Sequence, residues 1–355
     1  MKRLLGSRLV WPSAVLVLLV LTNLWFSHGF LSIEIRDGHL YGSLIDILRD
    51  ATPLTLVALG MTVVIATAGI DLSVGSVMAI SAAVACLWIS KQDHQDTLAA
   101  VAVGVLLALV VSLMAGLWNG LLVSVLGIQP IIATLILMVA GRGVAQLITG
   151  GQIITLTSNT YNSIGTGYVL TLPICVLLTA VVVAAGAVLT RRTALGLLLE
   201  SVGGNPKASR LAGIQSRRLI WGAYVFAGLV AGIAGLIDSS NVSSADGNNL
   251  GLLIELDAIL AVVIGGTSLD GGRFSIAGTV LGSVIITTLD ITIVTIGVPT
   301  DATQLFKAIV VLILCLVQSP AFRARIAPRR RRRNPPAATP DALPPVTGDV
   351  VEVSA

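Results

Sequence analysis

Residues 51–89 read ATPLTLVALGMTVVIATAGIDLSVGSVMAISAAVACLWI, and Asp71 is the only charge among them. A helix needs roughly 20 apolar residues to cross about 30 Å of hydrocarbon, so a run of this length holds two crossings. The sequence divides them at TAGIDLSVG, giving spans over 51–69 and 74–89 with Asp71 in the turn between. The whole chain belongs to the same solvent. Its 355 residues are 55% hydrophobic and 11% charged, with a mean hydropathy of +0.94, whereas soluble domains are roughly half apolar and a quarter charged.

Further apolar segments lie at 9–27, 98–126, 130–148, 169–190, 219–237, 252–266, 274–297 and 303–318, which brings the expected total to ten. These predict an all-α polytopic membrane protein of about ten transmembrane helices. A closed barrel would instead need alternating segments of about ten residues. The 98–126 run is long for one helix, and a bend is expected at Trp118-Asn119-Gly120. Span 252–266 is short and carries Glu255 and Asp257, and the last span contains Lys307. Among the 36 glycines, Gly116 with Gly120, and Gly228 with Gly232 and Gly235, supply small faces for close helix packing.

Basic residues orient the chain. Lys2, Arg3 and Arg8 lie in the amino-terminal segment 1–8. Arg191, Arg192, Lys207, Arg210, Arg217 and Arg218 lie in loop 191–218 against Glu200, and Arg323, Arg325 and Arg329 to Arg333 follow the last span. The positive-inside rule makes all three segments cytoplasmic, which an even number of spans permits. Loop 238–251, with only Asp238 and Asp246 charged, falls on the opposite side. The membrane domain is therefore 9–318, with its first span an anchor rather than a cleaved signal. Segment 319–355 is basic and proline-rich and reads as a disordered cytoplasmic tail. Its arginines, directly after a span, suit anionic membrane lipid rather than nucleic acid, as does the net charge of +4.

No phosphate-cradling Walker A loop is present, since the chain contains no Gly-Lys dipeptide. His28, His39 and His94 are scattered, and Cys86, Cys175 and Cys315 lie in apolar runs without metal spacing. No catalytic residue, metal site or cofactor of the chain's own is expected, and transport is the natural function. Asp71 with Ser73 and Gly75 reads as a structural or gating turn in which the carboxylate accepts from the free amides that begin span 3. A charge-dependent substrate or ion contact is the other reading. Arg142, inside a span, needs a partner, for which Glu255 and Asp257 are candidates.

Loop 191–218 is too polar to cross and too regular to be formless. It reads as two short helices broken at Gly203-Gly204, with Asn205 as N-cap, Pro206 in the first helical position and Gly213 as a left-handed terminator. Leu195, Leu198, Leu199 and Val202 give the first helix an apolar side, suited to the lipid surface or to a partner protein.

ALGLLLESVGGNPKASRLAGI (194–214) resembles the cytoplasmic coupling loop of the sugar-type permeases of ATP-binding-cassette importers. GIDLSVGS (69–76) and LAVVIGGTSLDGGR (260–273) are similar to two further signatures of that family. DGHLYGSLIDIL (37–48), AGLWNGLLV (115–123) and IQPIIATLILMVAGRGVAQLITGGQI (128–153) resemble its ribose and galactofuranose type, in particular galactofuranose-importer permeases. The arginine-rich tail departs from the pattern. The resemblance implies a multi-pass bacterial inner-membrane subunit for a galactofuranose-like monosaccharide. It also implies a tandem-cassette ATPase that hydrolyses the ATP, a periplasmic sugar-binding protein, and a second related permease or a second copy. Glu200, Gly203, Asn205, Ala208 and Gly213 would then contact the ATPase. For a neutral sugar, Asn119, Gln129, Thr134, Arg142 and Gln146, with Trp118 as a stacking face, are candidate pathway residues. The competing reading is a self-sufficient secondary transporter or channel using Asp71, Arg142, Glu255, Asp257 and Asp290.

Overall fold

Helices α2 (Ser43–Ala66) and α3 (Val74–Ser90) decide the architecture, because neither keeps a polar face. Every residue of α2 from Ala51 onward is buried, as is most of α3. A helix apolar and buried all round belongs at the centre of a bundle. The structure, a computed structural model, describes residues 10–26, 30–32, 34–36, 38–169 and 171–318. The amino-terminal segment 1–8 and the basic tail 319–355 lie outside the described residues.

Around this centre stand α1 (Val10–Phe26), α4 (Leu98–Gly120), α5 (Pro130–Thr149), α7 (Ile174–Arg192), α10 (Ser216–Asn241), α11 (Ile254–Ile264), α12 (Ile276–Thr295) and α13 (Thr300–Gln318). Short helices α6 (Asn159–Thr166), α8 (Ala194–Gly204) and α9 (Pro206–Leu211) lie in the connections. Among the described residues, six helices are long and apolar enough to cross a membrane: α2, α4 with its continuation to Val125, α5, α7, α10 and α12. Helices α1, α3 and α13 add shorter apolar stretches, and α11 has only 11 residues.

Two boundaries differ from expectation. Helix α2 starts at Ser43 and carries Asp46, Arg49 and Asp50 in its opening turns, because backbone hydrogen bonding continues where the apolar composition has already ended. Helix α7 starts at Ile174, since the preceding residues are taken by strands β4 (Tyr168–Val169) and β5 (Leu172–Pro173), paired antiparallel. The long 98–126 segment changes character where a bend was expected: after Gly120 the α-helix gives way to a π-helical turn, Leu121–Val125.

Small residues set the closest crossing. A Cβ on Gly116 of α4 would stand 2.7 Å from Tyr224 O of α10, and one on Gly228 would stand 2.7 Å from Ser112 O. Hydroxyl pairs tie further helices together, Thr62 to Thr279 and Thr55 to Ser283, each at 2.7 Å. The outer faces of α4, α5 and α7 present Met114, Val139, Leu147 and Val181.

The connections sort to two ends. At one, strand β3 (Ile154–Thr155) pairs with β6 (Ser244–Ala245), and Leu40 N of the hairpin β1 (Glu34–Arg36) and β2 (His39–Tyr41) donates to Thr171 O. Thr157 there meets Gln95. At the other, the 67–73 turn meets α8, the 265–275 loop, the end of α4 and the start of α5.

Candidate functional site

The second end gathers the motifs singled out in the sequence. Helix α8 begins under Thr193, whose hydroxyl accepts from Leu195 N at 3.2 Å. Helix α9 begins under Asn205, whose side chain accepts from Lys207 N and Ala208 N at 3.1 and 3.0 Å. Gly213 follows α9 in the left-handed region, φ 83°, while Ile214 N returns to Ser209 O at 3.0 Å. This closes α9 by a Schellman-like bond and reverses the chain into α10.

The hairpin is seated on the bundle rather than free on all sides. Leu199 and Val202 are buried. Gly203 lies so close to the end of α2 that a Cβ there would come within 1.8 Å of Ala66 O. The same carbonyl accepts from Gly272 N at 3.0 Å, so α8, α2 and the 265–275 loop converge on one backbone atom. Glu200 faces inward to Arg191 at 3.8 Å, and Arg191 in turn donates to Phe274 O at 2.5 Å. Of the apolar side anticipated at Leu195, Leu198, Leu199 and Val202, the protein itself thus covers Leu199 and Val202, while Leu198 is half-buried and Leu195 is exposed. The side left open carries Leu197, Ala208 and Leu211, with Leu211 91% exposed.

Immediately below lies the Asp71 turn. Asp71 is buried, and its Oδ1 accepts from Ser73 N at 2.9 Å, Ser73 Oγ at 2.6 Å and Asn119 Nδ2 at 3.4 Å. Helix α3 starts at Val74 with Ser73 in the cap position, so the amide Asp71 holds precedes the helix rather than lying in its first turn. Asn119 also donates to Ser73 Oγ at 2.7 Å, fixing the point where α4 turns into π-helix. Thr134 of α5 reaches Ile70 O at 3.3 Å. Gly75 serves a close approach: a Cβ would stand 2.3 Å from Gly251 O and 2.6 Å from Glu255 Oε2.

Replacing Asp71 by leucine leaves Ser73 N and Ser73 Oγ without their acceptor, at about 1–3 kcal/mol for each buried group. Asp71→Leu is expected to lower the amount of folded protein in membranes, whereas Asp71→Asn keeps an accepting oxygen and much of the activity. Membrane quantification with an uptake assay checks this, and a well-folded but inactive Asp71→Asn would show a charge-dependent step instead.

The other candidate pathway residues separate. Trp118 and Gln129 are exposed and Gln146 is half-buried, whereas Asn119 and Thr134 are buried and engaged. Arg142 finds neither Glu255 nor Asp257 as its direct partner. Its guanidinium donates to Leu250 O at 2.6 Å, because the α10–α11 connection turns its carbonyls toward α5. That connection is shaped by Asp246. Burial alone would raise this carboxyl, but hydrogen bonds from Asn249 and Asn248 outweigh it and hold it below the usual range.

Sequence reasoning missed two groupings. Lys307 of α13 bridges Asp257 of α11 at 2.8 Å and Asp290 of α12 at 3.0 Å. Both carboxylates line a cavity of about 430 Å³ with Asp50 and Asp238. The signal was available, since each charge inside a span needs a partner. Tyr224, fully buried with its hydroxyl against Gly69, carried no comparable signal.

A helical bundle with apolar outer faces and a capped helical hairpin seated at one end defines the membrane subunit of a transporter. Residues 43–316 match the family described as the permease component of branched-chain amino acid transport systems, and the chain belongs to that family. It is 46% identical to the galactofuranose transporter permease of Escherichia coli over 92% of this chain and 95% of that one. Identity is 41% to a fructose import permease of Bifidobacterium longum, covering 94% and 93%. It is 35% to the ribose import permease of Haemophilus influenzae, covering 78% and 85%. No solved structure matches. The relatives are import permeases, and the chain is a transport component rather than an enzyme.

Proposed function

We propose that this chain forms part of the translocation path of an ATP-driven sugar importer in the bacterial inner membrane. Ten spans place both termini in the cytoplasm. A tandem-cassette ATPase docks on the α8–α9 hairpin, and a periplasmic binding protein delivers a galactofuranose-like monosaccharide. A second related permease or a second copy completes the path, facing the outer sides of α4 and α5 near Trp118, Gln129 and Gln146. The observation that carries this reading is the hairpin: rigidly capped, seated on α2, and presenting Leu197 and Leu211 outward on a basic end of the bundle. The sorting of the connections to two ends supports the span count.

Reconstitution tests the energy source. Uptake into proteoliposomes should require the binding protein, the ATPase and ATP, and should persist when the proton gradient is collapsed. Accumulation by this chain alone on a pH or sodium gradient would overturn the importer reading. Docking is tested on exposed residues: Leu197→Glu and Leu211→Glu should reach the membrane normally yet bind the ATPase about tenfold more weakly, a loss of about 1.4 kcal/mol. Wild-type pull-down by both variants would rule the hairpin out as the docking surface.

A further inference from the structure

Where α7 ends and α10 begins, the bundle contains a second, apolar crevice of about 180 Å³. Its walls include Leu189 of α7, Leu195 and Leu199 of α8, and Gly222 and Phe226 of α10, with Arg218 on its wall. Gly222 leaves the space open, since a Cβ there would meet no atom within 4 Å. The charge around it that is not already paired is of one sign. Arg191 is committed to Glu200 and Phe274, but Arg192, Arg217 and Arg218 are exposed, and their guanidinium groups have no acceptor among the described residues.

We infer that this crevice binds an anionic phospholipid, with a stretch of acyl chain between α7, α8 and α10 and the phosphate at Arg218 and its neighbouring arginines. The dimensions suit a chain segment rather than a whole lipid, because dry apolar cavities of about 150 Å³ hold a single benzene ring. The depth suits a lipid as well. Arg191 and Arg192 form the last turn of α7, and Arg217 and Arg218 the first turn of α10, so the mouth lies at the headgroup level of the two spanning helices that flank it. Basic pockets between spans at this level select net-negative headgroups over zwitterionic ones. A partner protein's surface could pair with the arginines but would not enter a crevice walled by the hydrocarbon-level residues Leu189 and Phe226. Leu195 and Leu199 belong to α8, so a bound chain would also back the hairpin from the membrane side.

The test uses the full-length chain purified in mild detergent, incubated with phosphatidylglycerol or phosphatidylcholine of identical chains and read by native mass spectrometry. The readout is independent of which end is cytoplasmic and of whether an ATPase docks. Wild type should retain phosphatidylglycerol in preference to phosphatidylcholine. Arg218→Gln should reduce phosphatidylglycerol retention about fivefold, the contribution of one arginine at a lipid surface. Gly222→Leu, whose Cβ meets no atom within 4 Å and whose side chain would occupy the crevice, should reduce retention of both lipids. Arg218→Gln is an exposed change that folds in any case, so the inference stays testable whatever Gly222→Leu does. Equal retention of the two lipids by wild type would overturn the inference, as would wild-type retention in Arg218→Gln. If Arg218→Gln instead leaves lipid retention unchanged and weakens ATPase pull-down, the arginines belong to a protein interface and the lipid site is wrong.

Discussion

Gly203→Ala should detach the α8–α9 hairpin from the bundle while Gly204→Ala, one residue later, should change little. The contrast follows from what each added methyl group meets. At Gly203 it would stand 1.8 Å from Ala66 O and 2.6 Å from Gly272 N, whereas at Gly204 it meets nothing within 4 Å. Ala66 O and Gly272 N are backbone atoms hydrogen-bonded to each other at 3.0 Å, so no side chain can rotate away. Relief requires α8 to move off α2 or the 265–275 loop to shift, at a cost of about 3 kcal/mol. The adjacent turn is already constrained, with Ala68 at φ 61° and Gly271 packed against it. Displacement of α8 would also expose Leu199 and Val202. The expected result is normal insertion, faster tryptic cleavage at Lys207 and Arg210, and loss of uptake in Gly203→Ala. Gly204→Ala should match wild type in all three. Equal cleavage and uptake in both variants would mean that α8 is not held by this contact.

The paired glycines show what the sequence discloses and what it hides. Gly203-Gly204 marked a helix end, and Asn205, Pro206 and Gly213 defined the next helix, because caps and left-handed terminators are local chemistry. Which glycine faces the bundle is a tertiary fact. The direction of the apolar side was equally hidden: Leu199 and Val202 could face a partner, lipid or the protein's own helices, and periodicity does not distinguish these. Spans were legible where composition changes with the helix, as for α5 and α12, and misplaced where it does not, as at the charged start of α2. Arg142 illustrates the limit for charges. A backbone carbonyl satisfies a guanidinium as well as a carboxylate does, and no sequence pattern distinguishes Leu250 O from Glu255. For Lys307 the acidic partners were readable as a need, but not as a geometry.

Lys307→Met should destabilise the protein by about 2 kcal/mol, and neutralising both of its partners in the same chain should restore most of the loss. Removing one member of a buried charge cluster typically costs about 3–5 kcal/mol, because the remaining charges stay behind unpaired. Here the figure is discounted for water. The Lys307 side chain is 12% exposed, but Asp257 and Asp290 are 27% and 43% exposed. Without the ammonium the two carboxylates would repel each other beside Asp50 and Asp238 in the same cavity. Helix α13 would lose the two ionic contacts that tie it to α11 and α12. The triple variant Lys307→Met, Asp257→Asn, Asp290→Asn leaves no charge at the bridge, and such replacements are often close to neutral in energy. Thermal unfolding of detergent-purified protein measures the stability, and binding-protein-dependent uptake measures the function. If the cluster only fastens α13, the triple variant is both stable and active. A triple variant that is folded but unable to transport would instead show that the carboxylates work as charges during translocation, and an unshifted melting temperature in Lys307→Met would remove the ionic tie from the account of how α13 is held.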